Sequence, residues 1–578
     1  MTRLKKNLLT GVMESISQQR AALFIFSCLV NMLLLVTAIY MLQVYDRVLS
    51  SGSLATLAWL TVIALIAVVA YGLLEQARRL ILSRTASYIE SELNAPTLRG
   101  AMDLNREGKV PPASVRDVAD LRNYFRSDAA LSFLDAPWSV IFLAFIWLLH
   151  PILGLIATLG AITLFAATLL NDVLTRARQR EAAGAVHAAN ETAVRLVDAG
   201  ETISTLGMAP AIFSRWREQQ NRAHAEQQEL GEKTTTILSL TRSLRMGLQI
   251  AVLGMGAYLV LGAEITAGAM IAASIITGRA LAPIDRLTSS WNRFVLARSA
   301  KKKLKALFEE VAKTPDRLQL PRPKGILSVE NINFIAPGTS KPILHSIDFS
   351  LERPGTCCAV IGPSGAGKST LCRMLVGMWK PSGGQVRLDG ADVFTWDPDR
   401  LGPYIGYLPQ TVELFPGTIA ENIARFGDAD SEAIIGAARL AGVHEMILKQ
   451  PDGYETQVGF AGDRLSLGQR QRIGLARAVY GMPSFVVLDE PNSNLDSAGD
   501  AALLSTLSAL TENGTTTVIV SHRAEVLKGA SKVLALRDGT IGSFGDRDEV
   551  LKPVTSAKKT SPQTAIPRQK ITLGSKTK

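Results

Sequence analysis

A glycine-rich loop in the second half of the chain has the residue types and spacing of a phosphate-binding site. It reads Gly362-Pro363-Ser364-Gly365-Ala366-Gly367-Lys368-Ser369-Thr370. The apolar run before it (356–361) predicts a strand and the run after it (371–378) predicts a helix. In that context, backbone N–H groups and a helix N-terminus surround phosphates. We expect Lys368 to reach the β- and γ-phosphates of a nucleoside triphosphate and Ser369 to ligate Mg²⁺.

A second apolar run ends in two acids. It reads Phe485-Val486-Val487-Leu488-Asp489-Glu490 and predicts a buried strand. Proteins catalyse phosphoryl transfer mainly by positioning groups and stabilising charge. We therefore expect Asp489 to complete the Mg²⁺ shell and Glu490 to polarise the attacking water. The alternative for Glu490 is structural, an acid that caps a helix before Pro491.

Four more segments, in order along the chain, resemble motifs of the ABC transporter ATPases. They are Tyr407-Leu408-Pro409-Gln410, Leu465-Ser466-Leu467-Gly468-Gln469, Asn494-Leu495-Asp496, and His522 after the apolar run 517–520. The resemblance implies that each ATP is enclosed between two ATPase domains. Because the chain holds one copy of each motif, it is expected to form a homodimer.

The resemblance also implies a role for each of these residues. Gln410 is expected to bind Mg²⁺ and nucleotide and to sense the membrane domain, and His522 is expected to contact the γ-phosphate. The remaining nucleotide contacts are expected from Ser466, Gly468, Gln469 and Asp496. The catalytic set is then Lys368, Gln410, Glu490 and His522, with ATP and Mg²⁺ as cofactors.

Two positions depart from the family pattern. Leu467 stands where the signature usually has a glycine, although Ser466 and Gly468 remain. Ala336 stands where an aromatic residue commonly stacks on adenine. Adenine stacking is therefore in doubt.

The first half of the chain is apolar. Hydrophobic residues make up 47% of the sequence and the mean hydropathy is +0.18, which is high for a soluble protein. Continuous apolar runs of roughly 20 residues predict helices that cross a bilayer. Six such runs lie at 21–41, 54–74, 131–149, 152–170, 244–261 and 267–287.

The loops between these runs alternate in length and charge. Those at 45–53, 150–151 and 262–266 are short and hold a single Arg, whereas 76–130 and 171–243 are long and rich in Arg. The positive-inside rule places the long loops, both termini and the ATPase domain in the cytoplasm. We expect the long loops to be helical extensions of the spans. The alternative, a large soluble helical domain, does not explain why charge is confined to alternate loops.

The sequence therefore predicts an α-helical six-span ABC exporter transmembrane domain followed by an α/β P-loop ABC ATPase domain. The final segment carries six Lys, one Arg and no acid, which predicts a disordered tail. That tail could contact acidic lipid head groups or nucleic acid, or simply be solvated. The predicted boundaries are an N-terminal cytoplasmic segment 1–20, a transmembrane domain 21–299, a linker 300–324, an ATPase domain 325–551 and a basic tail 552–578.

Within the ABC exporters, the membrane half resembles type I secretion ATPases, in particular the subgroup exporting alkaline proteases, lipases and S-layer proteins with C-terminal signals. The likeness is carried by Phe133-Leu134-Asp135-Ala136-Pro137-Trp138, His150-Pro151-Ile152-Leu153-Gly154, Gly207-Met208 and Arg279-Ala280-Leu281-Ala282-Pro283. About twenty residues precede the first span, too few for a peptidase domain, so an uncleaved cargo is expected.

The resemblance implies an inner-membrane homodimer that exports an unfolded protein. Its implied partners are a periplasmic membrane-fusion protein, an outer-membrane channel protein and the secreted substrate, with no nucleic acid. One alternative is an ABC exporter of lipids, drugs or small peptides, which would share every ATPase motif. A second is a soluble ABC ATPase acting on DNA or ribosomes, which the six apolar runs oppose.

Other residues in both halves invite a structural test. Asp135 is either a functional membrane charge or a cap in front of Pro137. The segments 115–125 and 203–213 are candidate coupling helices. No metal-ligand spacing links the four cysteines, which we expect to be reduced thiols: Cys28, Cys357, Cys358 and Cys372.

Overall fold

The computed structural model describes residues 2–313, 319–336, 339, 341–459, 462, 464–493 and 497–551. The chain divides into two compact units, one of residues 1–105 and 109–314 and one of residues 106–108 and 315–578. The first unit is helical and the second is α/β, as the sequence predicted. The predicted basic tail lies outside the described residues, and the predicted domain boundaries stay predictions.

Long helices build the first unit. In chain order they are α1 (Thr2–Leu34), α2 (Val36–Gln43), a π-helical turn (Val44–Val48), α3 (Leu49–Ser51), α4 (Leu54–Arg106), α5 (Val115–Arg126), α6 (Asp128–Leu149), α7 (Pro151–Asp198), α8 (Gly200–Thr205), α9 (Ala209–Leu261) and α10 (Ala267–Lys313). The helices α4, α7 and α9 contain 53, 48 and 53 residues, more than twice what a bilayer requires. The prediction that the long loops extend the spans as helices is confirmed.

Five stretches of helix among the described residues are long and apolar enough to cross a membrane. They are Leu9–Ser51, Leu54–Arg106, Asp128–Leu149, Thr235–Leu261 and Ala267–Leu287. The run predicted as the fourth span forms the start of α7, which includes the apolar stretch Pro151–Ala167. All six predicted runs are therefore helical.

A buried ion-pair network joins four helices of this unit. The Nη1 and Nη2 atoms of Arg78 in α4 lie 2.6 Å from Asp135 Oδ1 in α6 and 2.6 Å from Glu75 Oε2. The side-chain amide of Asn31 in α1 donates to the same Asp135 oxygen at 2.9 Å. Arg286 in α10 approaches Asp135 Oδ2 at 3.8 Å. Arg78 and Asp135 are only 2% and 4% exposed, so both charges are removed from solvent.

This network decides between the two interpretations of Asp135. Pro137 lies inside α6, two turns after the helix begins at Asp128, so Asp135 does not cap a helix. The capping alternative is wrong, because the carboxylate pairs with cations of neighbouring helices. The candidate coupling segments are also helical: α5 covers the first, while α8 and the start of α9 share the second on either side of a turn at Gly207.

The second unit alternates short strands with helices. Its elements are β1 (Leu327–Ile335), β2 (Pro342–Leu351), β3 (Cys357–Ile361), α11 (Lys368–Leu375), β4 (Gly383–Leu388), β5 (Ala391–Asp392), α12 (Pro398–Leu401), β6 (Ile405–Leu408), α13 (Ile419–Ile423), α14 (Ser431–Leu440), α15 (His444–Leu448), α16 (Leu467–Val479), β7 (Phe485–Asp489), α17 (Ser497–Glu512), β8 (Thr516–Val520), α18 (Ala524–Gly529), β9 (Lys532–Arg537), β10 (Thr540–Asp546) and α19 (Arg547–Val550).

The strands form two sheets. One has the order β2-β1-β4-β5 and is antiparallel, and the other has the order β10-β9-β3-β8-β7-β6. In the second sheet β9, β3, β8, β7 and β6 run parallel, and only β10 is antiparallel. The carboxyl ends of neighbouring parallel strands meet at one edge, which is where ligands bind in open α/β sheets.

All four cysteines are free thiols. Burial raises the pKa of Cys357 to about 12 and also raises the pKa of Cys358 and Cys372. Because the thiolate is the reactive form, raised pKa values and burial both suppress alkylation. We predict that maleimide at pH 7.5 modifies these three at least 100-fold more slowly than free cysteine. Mass spectrometry of native and denatured protein checks this, and rapid native labelling of Cys358 would contradict it.

Candidate nucleotide site

The glycine-rich loop leaves β3 and ends at the first turn of α11, as predicted. Gly362 and Gly367 have φ angles of 153° and 93°, which L side chains rarely adopt. A Cβ on Gly362 would lie 2.2 Å from the Leu536 carbonyl oxygen, so only glycine fits there. The Lys368 ammonium donates to the carbonyls of Gly362 at 2.8 Å and Pro363 at 3.0 Å, which holds the cation over the loop.

The remaining residues of the glycine-rich loop differ in exposure. Pro363, Ser364 and Gly365 are exposed, whereas Ala366 is buried in the core below them. Ser369 and Thr370 stand in the first turn of α11, whose backbone N–H groups are available to an anion. The loop therefore offers exposed backbone donors and one cation to a polyphosphate.

Asp489 fits a role as a magnesium ligand. It is the last residue of β7 and only 1% exposed, and its Oδ1 atom has no hydrogen-bond partner among the described residues. Burial raises the pKa of its carboxyl, and the negative charge of Glu490 adds to the rise, while a hydrogen bond from Ser369 opposes it. A buried, unpaired carboxylate oxygen beside a hydroxyl is a donor set that hard cations prefer.

Glu490 and Gln410 are brought together from two different strands. Gln410 follows β6 and Glu490 follows β7, and the Gln410 side-chain amide donates to Glu490 Oε2 at 3.0 Å. The Glu490 backbone has a φ of 51° and its N–H donates to the Val520 carbonyl at 3.2 Å. The next described helix begins only at Ser497, so Glu490 does not act as its cap.

His522 lies at the same edge of the parallel sheet as Gln410 and Glu490 but takes no part in the hydrogen bond between them. It follows β8, and the register Asp489↔Val520 aligns the ends of β7 and β8. The imidazole is exposed. Asp496 and the two residues before it lie outside the described residues, so its predicted role stays a prediction.

The signature segment forms the start of α16. The Ser466 hydroxyl accepts from the Gln469 backbone N–H at 3.3 Å, and the Gln469 side chain accepts from the Ser466 N–H at 2.9 Å. This reciprocal capping box fixes the first turn. Gly468 lies within that turn, and Leu467 is 58% exposed. The Leu467 side chain therefore points away from the core and takes no part in the cap.

Gln471 is a residue that the sequence reasoning missed. It is 2% exposed in α16, and its amide donates to the Glu490 carbonyl at 3.1 Å and the Pro491 carbonyl at 2.6 Å. It also lies 3.3 Å from the Ser493 hydroxyl. Gln471 thus joins the signature helix to the turn that carries Glu490. A lone Gln inside a helix has no sequence pattern that reveals such a contact.

Gln471→Ala should lower ATP turnover by about tenfold, because the turn carrying Glu490 loses its support and the carbonyls of Glu490 and Pro491 lose a donor. The affinity for ATP should change less than about twofold, since the glycine-rich loop is untouched. Phosphate release and equilibrium nucleotide binding check both values. Gln385→Ala, on the exposed face of β4, is the control. Equal turnover in the two variants would exclude this role.

Family models and a solved structure match both parts of the chain. A family model described as ABC transporter matches residues 344–493, and one described as ABC transporter transmembrane region matches residues 21–279. A solved structure of a bacterial Atm1-family ABC exporter with ATP bound is similar with a TM-score of 0.75, covering 93% of this chain and 96% of that chain. Its sequence identity is 20%, so it shows the fold alone.

Two relatives match over nearly the whole chain. The type I secretion system ATP-binding protein PrsD of Rhizobium meliloti (strain 1021) is 37% identical, covering 93% of each protein. The alpha-hemolysin translocation ATP-binding protein HlyB of Escherichia coli O157:H7 is 31% identical over 91% of this chain and 75% of its own length. At 93% and 91% of this chain, both likenesses extend over both units. The chain is therefore a multi-pass membrane ATPase that belongs to the ABC transporter family, among the ATP-binding proteins of type I secretion systems.

Proposed function

We propose that this protein exports an unfolded polypeptide across the inner membrane as the ATPase of a type I secretion system. The cargo carries an uncleaved C-terminal signal, of the protease, lipase or S-layer type. The observation that carries the proposal is the 37% identity to a type I secretion ATP-binding protein over 93% of both chains. The ATPase domain and both termini face the cytoplasm in this proposal.

Each site residue has a separate proposed role in ATP hydrolysis. Lys368 and the loop 362–370 hold the phosphates, and Glu490, positioned by Gln410 and Gln471, takes up the proton of the attacking water. Mg²⁺, when bound by Ser369, Asp489 and Gln410, supplies charge neutralisation at the phosphates. His522 contacts the γ-phosphate. Ser466, Gly468, Gln469 and Asp496 complete the site of a second copy, which makes the functional unit a homodimer.

Export requires a path beyond the inner membrane. We propose a periplasmic membrane-fusion protein and an outer-membrane channel protein as partners, and α5 and the α8 region as the helices that receive the ATPase movements. Ala336 has no aromatic ring to stack on adenine, so the proposal includes loose base selectivity, with GTP hydrolysed at a rate comparable to ATP.

Deletion of the gene tests the proposed cargo class. The secreted proteins of the deletion strain, compared with the parent by mass spectrometry, should lack at least one large protein with an intact C-terminus. The wild-type gene should restore it, and a Lys368→Ala gene should not. Normal secretion of every such protein would refute export of this class. Loss of a lipid, drug or small peptide from the medium instead would favour the alternative exporter.

A further inference from the structure

An apolar cavity of about 460 Å³ lies within the helical unit, and none of its lining residues belongs to the nucleotide site. Its walls come from α1, α4, α5, α6 and α10, and they are mainly apolar and aromatic. The Phe294 ring contacts two other rings there: its centroid lies 4.4 Å from that of Phe133 and 6.2 Å from that of Tyr124. No step of ATP hydrolysis uses these residues.

Two cations line the same cavity. Arg298 and Lys301 lie one turn apart on α10, so their side chains share a face of the helix. Both are exposed, and neither forms an ion pair or hydrogen bond within the part of the chain that the structure describes. By contrast, Lys303 pairs with Asp117 at 3.0 Å. The cavity therefore has an apolar body and an uncompensated positive edge.

The predicted spans put the cavity at the cytoplasmic surface of the membrane. Phe133 stands at the start of the third apolar run, and its contact with Phe294 places Phe294 at the same level. Arg298 and Lys301 follow Phe294 by roughly 6 and 10 Å along the helix, at 1.5 Å per residue. The head-group region beyond the hydrocarbon is about 5–8 Å thick, so Arg298 lies at the depth of the lipid phosphates. Lys301 lies just beyond it, and its long side chain can reach back to the same phosphates.

We propose that this cavity binds one anionic phospholipid per protomer, with acyl chain against Phe133 and Phe294 and phosphate on Arg298 and Lys301. Basic pockets between membrane helices on the cytoplasmic side have the chemistry to hold such head groups. The Tyr124 hydroxyl has no hydrogen-bond partner among the described residues and can donate to the lipid. Burial raises the pKa of Tyr124, which keeps this donor protonated.

The test is native mass spectrometry of the full chain in detergent, titrated with phosphatidylglycerol or with phosphatidylethanolamine of the same acyl chains. Phosphatidylglycerol should bind with at least tenfold preference. Arg298→Gln/Lys301→Gln should weaken it about 10- to 30-fold, since each cation near a phosphate contributes several-fold. The control Arg293→Gln/Lys302→Gln removes two exposed cations of α10 outside the cavity and should change affinity less than threefold.

A filling variant separates the cavity from general surface charge. Ala297 is 4% exposed and lines the cavity, so Ala297→Phe should reduce phosphatidylglycerol binding while all cations remain. Equal binding of the two lipids, equal losses in the two charge variants, or unchanged phosphatidylglycerol binding in Ala297→Phe would each overturn the proposal. None of these measurements requires transport. The lipid proposal can therefore fail while the proposed export function holds, and the reverse.

Discussion

Replacing Glu490 by Gln is expected to lower ATP turnover by roughly 10²- to 10⁴-fold while ATP affinity stays within about twofold. The carboxamide keeps an oxygen that can accept from Gln410, whose amide lies 3.0 Å from Glu490 Oε2. It removes the negative charge that draws a proton from water in the proposed mechanism. ATP binding is expected to depend on the separate loop around Lys368. This variant should therefore keep its affinity for ATP while its ATP turnover falls.

Two measurements check this expectation. Phosphate release with ATP and Mg²⁺ reports turnover, and nucleotide retained by the protein after rapid desalting reports the closed dimer, which should accumulate. Glu512→Gln is the matched control, because Glu512 is an exposed acid at the end of α17. Wild-type turnover of the Glu490 variant would remove this residue from the role of base.

Asp135→Ala is expected to destabilise the membrane unit by roughly 3–5 kcal/mol, because it leaves the Arg78 guanidinium buried without its nearest partner in α6. The two side chains are 5% and 2% exposed, so water cannot take over the lost contact. Thermal unfolding of the detergent-solubilised protein measures the loss. Asp135→Asn should be less stable than the wild type but more stable than Asp135→Ala, since it keeps a hydrogen-bond acceptor and loses the charge.

The chain offers a matched control in the same helix. Asp128 in α6 pairs with Arg79 in α4 at 3.1 Å, but their side chains are 60% and 55% exposed. Asp128→Ala should therefore cost less than about 1 kcal/mol. The double variant Arg78→Met/Asp135→Leu should recover much of the stability, because an apolar pair replaces two buried charges. Equal losses for Asp128→Ala and Asp135→Ala would show that burial does not govern this pair.

The nucleotide site could be predicted in large part because its residues are tied to local elements. The glycine-rich loop needs positive φ at Gly362 and Gly367, and this demand is met by residue type alone. Asp489 and Glu490 end an apolar strand, and parallel strands bring their carboxyl ends to one edge. Motif order therefore predicted which residues would be neighbours, although not the contact between Gln410 and Glu490.

Spans and helical extensions were predictable for a similar reason. In a bilayer the backbone must satisfy its own hydrogen bonds, so an apolar run of sufficient length has one available form. Which faces of those helices meet is not encoded in any short window. The partner of Asp135 is Arg78, 57 positions earlier, and sequence reasoning left the role of Asp135 divided between membrane charge and helix cap.

The sequence by itself thus determined the fold class, the order of the two units and the candidate residues for the nucleotide site, since each depends on local pattern. Only the tertiary structure decided which residues distant in sequence contact these candidates and the membrane charges. Gln471 reaches the Glu490 turn, Arg78 neutralises Asp135, and Arg298 and Lys301 border an aromatic cavity, because side chains distant in sequence meet only when whole helices pack.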